Sequence, residues 1–172
     1  GQGFMRSLPK KIQKAPSQKQ LDNRKAMAAA QAWLKYLTPY VRAGFKNYSK
    51  KQHGFGSALS YLKLNALRED FTVDPSRVLI TWGDLPVPLS PAVSNTQPGF
   101  LEFTWEPIAH SNDHAILLAT TSTGHFTGEL CGARRDAGKH LLDCKFISGM
   151  EADVYIGFIT EERERCSNSV YL

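Results

Sequence analysis

Cysteine, long apolar runs and, over the first 70 positions, acidic side chains are all scarce in this chain of 172 residues. Its three cysteines, Cys131, Cys144 and Cys166, are an odd number without a C-x-x-C pair, so they make no disulfide framework and set no redox compartment. No run of about 18 apolar residues occurs, and no membrane-spanning segment is expected. Catalytic signatures are missing as well. There is no Gly-x-Ser-x-Gly elbow, and Gly54-Phe55-Gly56 lacks the Lys-Ser/Thr ending of a phosphate loop and follows no strand. Recognised nucleic-acid-binding motifs are absent too. The sequence therefore argues for no enzyme and no cofactor.

The shortage of acid is the most telling absence. Residues 1–70 hold 14 of the 21 Lys and Arg against only Asp22, Glu69 and Asp70, a balance of +11. The rest of the chain holds 7 basic and 13 acidic side chains, a balance of −6. A molecule with a cationic end and an anionic end points to partners more than to chemistry: nucleic acid, an anionic surface, or the acidic end of another copy. Hydrophobic residues at 42% and charged residues at 22% are those of a globular protein able to bury a core. The chain opens on Gly1, as expected of a processed or trimmed product.

Residues 1–16 read as an extended basic arm, interrupted by Pro9 and Pro16 and solvated by Arg6, Lys10, Lys11 and Lys14. Ser17-Gln18-Lys19-Gln20 has the form of a capping box, and the helix it opens carries Met27, Ala30, Trp33, Leu34 and Leu37 on one stripe. Thr38-Pro39 is expected to stop that helix and restart another, with Thr38 as cap. A third helix is expected to be led by Ser57.

From Phe71 the period changes. Residues 78–82, Val-Leu-Ile-Thr-Trp, read as a short strand ahead of a passage containing Pro86, Pro88, Pro91 and Pro98. Leu101, Phe103 and Trp105 then alternate with Glu102, Thr104 and Glu106, as in a half-buried strand. Further runs follow at 114–121, 125–131, 140–147, 152–160 and 166–172, separated by turn signals. That spacing predicts an antiparallel sandwich of the immunoglobulin or fibronectin type III kind. The expected fold class is α+β: a basic arm over 1–16, a helical segment over 17–70, a short strand and Pro-rich connector over 71–98, and the sandwich over 99–172. If residues 136–139 form a four-residue hairpin loop, Cys131 and Cys144 stand opposite each other. Alternation nonetheless puts Cys131 and Cys144 on different faces, which argues against a bridge.

Several segments resemble a bacterial family catalogued as a domain of unknown function, number 6266. They are Met5-Arg6-Ser7-Leu8-Pro9-Lys10-Lys11, Leu37-Thr38-Pro39, Val78-Leu79-Ile80, Gly132-Ala133-Arg134-Arg135, Val154-Tyr155-Ile156-Gly157-Phe158 and Ser167-Asn168-Ser169-Val170-Tyr171-Leu172. Members of the family carry a Gly-rich stretch ahead of the Met-Arg-Ser segment, which this chain lacks. The resemblance spans nearly the whole chain and implies architecture but no mechanism.

The candidate sites follow from the charge. Arg6, Lys10, Lys11, Lys14, Lys19, Arg24 and Lys25 place seven cations within 20 residues, opposed only by Asp22. They would attract phosphate backbones without reading sequence. Phe4 is the lone ring nearby, however, and single-strand binders stack bases on several. A different use of the arm follows from Phe4, Met5 and Leu8, an extended, mildly apolar stretch suited to adding a strand to a sheet edge. Donated to a neighbouring copy, it would build a head-to-tail ring or filament. His110 and His114 have a metal-like spacing, but they fall in a polar turn without a third ligand close in sequence. Arg134, Arg135 and His140 near the thiols, and the charges of residues 161–165, read as solvated turns. The expectation is thus a non-enzymatic structural protein that assembles with copies of itself into an extracellular or cell-surface structure of a bacterium. The alternative is an accessory nucleic-acid binder that uses the basic arm and first helix, and a cytoplasmic setting stays open.

Overall fold

The computed structural model describes residues 15–172. The arm over 1–14, with Phe4, Met5, Arg6, Leu8, Lys10, Lys11 and Lys14, lies outside the described residues.

Helix α1 spans Gln18–Leu34 and opens as its sequence requires. The Gln20 N–H donates to Ser17 Oγ at 3.4 Å, and the Ser17 N–H donates to Gln20 Oε1 at 3.1 Å, so the box satisfies two orphan donors. Its buried stripe is Ala26, Ala30 and Leu34, spaced at one helical turn. A 3-10 turn over Lys35–Leu37 then carries the chain directly into α2, Thr38–Gly44. Thr38 is not the cap expected of it. Its hydroxyl donates to the Lys35 carbonyl at 2.8 Å, which draws Thr38 into the first turn and leaves Leu37 at the N-cap. Helix α3, Gly54–Asn65, starts three residues ahead of Ser57, which is buried inside it. Gly54 permits this: a Cβ there would lie 2.6 Å from the Arg42 carbonyl oxygen, so only glycine lets α3 begin against the backbone of α2.

Among the described residues the sandwich has seven strands: β1 Ala92–Gln97, β2 Phe100–Thr104, β3 His114–Thr120, β4 Phe126–Glu129, β5 Lys139–Asp143, β6 Asp153–Ile159 and β7 Val170–Tyr171. They form a three-stranded sheet in the order β1-β2-β5 and a four-stranded sheet in the order β4-β3-β6-β7, antiparallel throughout. The alternating strand β2 sends Phe103 inward, and β3 and β6 meet it with Ala115, Leu117, Ala119, Val154, Ile156 and Phe158. The opposite residues of the same two strands, Ile116, Leu118, Tyr155 and Ile159, pack against Leu34, Val41, Phe45 and Leu62 of the helical segment. The four-stranded sheet is therefore covered on both faces. This explains why β3 and β6 read as continuous apolar runs where β2 alternates. The fold is α+β, a helical layer on a sandwich of the immunoglobulin and fibronectin type III kind.

Three local expectations change. Residues 78–82 form no strand. They pass between α2 and the start of β7, with the Ile80 N–H donating to Ser169 Oγ at 2.9 Å and the Trp82 N–H to the Gly44 carbonyl at 2.9 Å. Side-chain and helix acceptors thus replace a ladder. The Pro-rich passage yields β1, which the prolines conceal. Finally, β4 and β5 are not a hairpin: they belong to different sheets, and residues 130–138 cross between them. The buried Arg135 anchors this crossing. Its Nη2 donates to the Val87 carbonyl at 2.9 Å, its guanidinium lies 4.2 Å from the centre of the Phe158 ring, and its carbonyl accepts from Trp105 Nε1 at 2.8 Å. All three cysteines are free.

Candidate interaction surfaces

Charge follows the layers. Residues 15–70 carry ten Lys and Arg against the same three acids. Among the described residues only two of these ten cations are ion-paired: Lys46 with Glu164 at 2.6 Å and Arg68 with Asp74 at 3.2 Å. Lys19, Arg24 and Lys25 of α1 are all exposed. They do not converge on one point, because Lys25 turns its ammonium over the Phe71 ring, 6.0 Å from its centre. Asn23 and Met27 mark the side of α1 that faces α3.

On that side the three helices leave a groove of about 1190 Å³. Met27, Phe55, Leu59 and Leu64 give it apolar walls, and Leu64 is 78% exposed. Arg42, Lys46 and Lys63 stand along it, and among the described residues no acidic side chain lines it. Lys63 Nζ donates to Asn23 Oδ1 at 2.9 Å, which ties α3 to α1. The first turn of α3 also opens here. His53 at its N-cap makes no side-chain cap bond, so the early N–H groups add partial positive charge. Sequence reasoning missed Arg42, Lys46 and Lys63 because they lie on two helices and a loop. Their only sequence signal was the shared absence of acid.

The second surface is at the far side of the sandwich. Among the described residues β1 pairs only with β2, and its ladder breaks register between Ser94 and Gln97. Five of its six residues are exposed. The opposite side of the sandwich is drawn shut, with Thr127 Oγ1 of β4 donating to the Asp143 carbonyl of β5 at 2.9 Å. Beside β1 an apolar seam of about 330 Å³ opens between the sheets, lined by Val93, Leu101, Met150, Ala152, Val154 and Leu172 among others. Glu151 and Asp153 flank Ala152 along the chain.

Reactive chemistry finds little footing. Burial pushes the Cys144 thiol up to about 11 and the Cys166 thiol up to about 12, which keeps both protonated at neutral pH. Cys131 is exposed and accepts from Arg163 Nη2 at 3.2 Å. His114 Nδ1 meets the Gly132 carbonyl at 3.0 Å, while His110 sits in a turn with positive φ. No group of three His, Cys, Asp or Glu stands together for a metal among the described residues. No helix among the described residues is long and apolar enough to cross a membrane.

This geometry defines a helix-covered β-sandwich with an exposed β1 edge and a cationic groove. The chain belongs to the family of unknown function DUF6266, whose model matches residues 1–172. None of the curated proteins matches it. Among solved structures it is similar to the fn3 domain of the human collagen alpha-1(XX) chain, with 17% identity, 51% of this chain and 80% of that one covered, and a TM-score of 0.39. It is also similar to a two-domain fibronectin type III segment of chicken tenascin, with 15% identity, 51% and 47% covered, and a TM-score of 0.38.

Proposed function

We propose that the protein is a non-enzymatic structural module that assembles head to tail with copies of itself. The N-terminal arm of one copy adds to the β1 edge of the next. The observation that carries this reading is the exposed edge of β1 beside an apolar seam. An extended segment can satisfy such an edge with backbone hydrogen bonds and fill such a seam with side chains at alternate positions. Phe4, Met5 and Leu8 supply the apolar groups for the seam. A +11 half and a −6 half steer successive copies in one direction, and a head-to-tail contact closes into a ring or extends as a filament. An extracellular or bacterial cell-surface setting accords with such an assembly.

Light scattering with electron microscopy, at low and high salt, tests the reading. Assemblies much larger than 19.2 kDa that vanish on deletion of residues 1–8 are expected. A monomer at every concentration and ionic strength overturns it. The exposed cations Lys19, Arg24 and Lys25 favour a second reading, nucleic-acid binding by the arm and α1. That reading requires salt-steep binding to DNA or RNA that charge reversal at these three residues weakens.

A further inference from the structure

The groove between α1, α2 and α3 is not used by the assembly just proposed, and its chemistry differs from that of the seam. Its floor would attract apolar side chains, yet among the described residues every charged side chain lining it is a cation. A nucleic acid satisfies Arg42, Lys46 and Lys63 but leaves Met27, Leu59 and Leu64 without partners. A neutral apolar segment does the reverse.

The chain itself displays the recognition chemistry that satisfies the cations. The turn over residues 161–165 brings Glu164 against the helical layer, where Lys46 Nζ meets its carboxylate at 2.6 Å and the Asn47 side-chain amide donates to its carbonyl. That turn carries no apolar side chain for the floor. The arm is unsuitable for the opposite reason, being cationic through Arg6, Lys10, Lys11 and Lys14. Neither segment of a second copy therefore meets both demands.

We infer that this groove binds an acidic amphipathic segment of a different protein. Its apolar side chains would rest on Met27, Phe55, Leu59 and Leu64, and its carboxylates would reach Arg42, Lys46 and Lys63. The dimensions agree. The 12 residues of α3 make a wall about 18 Å long, enough to receive a helix of about three turns with anchors at i, i+3, i+4 and i+7. The uncapped first turn of α3 adds a further attraction for carboxylate at one end. Lys46 is the adjustable member, since an incoming carboxylate competes there with the exposed Glu164.

Fluorescence anisotropy with the full chain tests the inference. The probes are a labelled amphipathic peptide of about 18 residues built from Leu and Glu, its Leu and Lys counterpart, and vesicles of phosphatidylcholine with phosphatidylglycerol. The Glu peptide is expected to bind. Leu64→Glu should weaken it about tenfold, as should the pair Arg42→Glu with Lys63→Glu. Lys35→Glu, which removes a cation outside the groove, should leave binding unchanged. Leu64 is 78% exposed, so its replacement leaves the core intact, and circular dichroism verifies this. Absence of binding by the Glu peptide overturns the inference. So does equal binding of the Lys peptide, equal loss with Lys35→Glu, or binding to vesicles in place of the peptide. These measurements are independent of residues 1–8, so failure of head-to-tail assembly leaves their outcome legible.

Discussion

The two faces of the four-stranded sheet are both apolar and fully covered, yet they are sealed by different means. Toward the three-stranded sheet, closure comes from side chains. Phe103, Leu142 and Trp105 interdigitate with Ala115, Leu117, Ile156 and Phe158, and Trp105 meets Phe158 edge-on at 5.6 Å. Toward the helices, closure depends on backbone reaching backbone. Residues 78–82 wedge between α2 and the sheet, because Gly44 and Gly157 leave no Cβ in their path. Side-chain packing of the first kind tolerates exchange among apolar residues of similar volume, whereas a main-chain wedge tolerates no added atom. The helical face is thus the more exacting of the two, although its helices are the more recognisable in sequence.

The largest expected effect comes from the paired substitutions Leu117→Ala and Leu118→Ala. These neighbours on β3 are fully buried on opposite faces of the sheet, and each change should cost about 2–5 kcal/mol. We propose that helices and sandwich unfold as one unit, and Trp fluorescence and far-ultraviolet circular dichroism should then give coincident denaturant transitions for both variants. Loss of helix ahead of the sandwich in Leu118→Ala alone would break the comparison into two separately stable parts.

Gly44→Ala sharpens it. The new Cβ would fall inside contact distance of the Ile80 carbonyl and 2.8 Å from Thr81 Cα, both main-chain atoms. Urea denaturation should show a loss of about 1–3 kcal/mol, despite the higher helix propensity of alanine. A stabilised Gly44→Ala variant would mean that the wedge moves freely.

Acid supplies the smallest effect. The carboxyls of Asp70 and Asp74, which shape the link out of α3, are held below their ordinary value of 3.8, chiefly by hydrogen bonds from the Thr72 and Ser76 side chains. Asp84 is lowered by Arg165, and Asp143 chiefly by the Lys145 backbone N–H. A carboxyl depressed in the folded state stabilises it fully above the unfolded value. That contribution is lost as pH falls through the folded value. Tm is therefore expected to be level from neutral pH to about pH 5 and to fall below about pH 4. A Tm that rises on acidification would contradict the assignment.

Much of the fold was legible because its signals are local. The capping box spans four residues, the α1 stripe recurs at one helical turn, and the alternation of Leu101, Phe103 and Trp105 repeats every second position. Reading failed where a distant partner decided the outcome. Helix α3 gained a turn because Gly54 fits against Arg42. Residues 78–82 had the composition of a strand, but they lie where Ser169 Oγ and Gly44 supply the acceptors. The candidate site was legible as a surplus of cations and no further. Lys19, Arg24 and Lys25 drew attention by being close in sequence, whereas Arg42, Lys46 and Lys63 became neighbours only when three helices packed.

By itself, then, the sequence determined that helices precede a β-sandwich and that charge separates between the two. Hydrogen bonds and side-chain periods over a few residues act within any single segment. Tertiary structure alone decided that β4 and β5 enter different sheets, that buried Arg135 anchors the crossing, and that the β1 edge and the helical groove stay open. Those outcomes depend on which apolar faces meet across long sequence separations, and hydrophobic burial carries no direction that a local pattern could record.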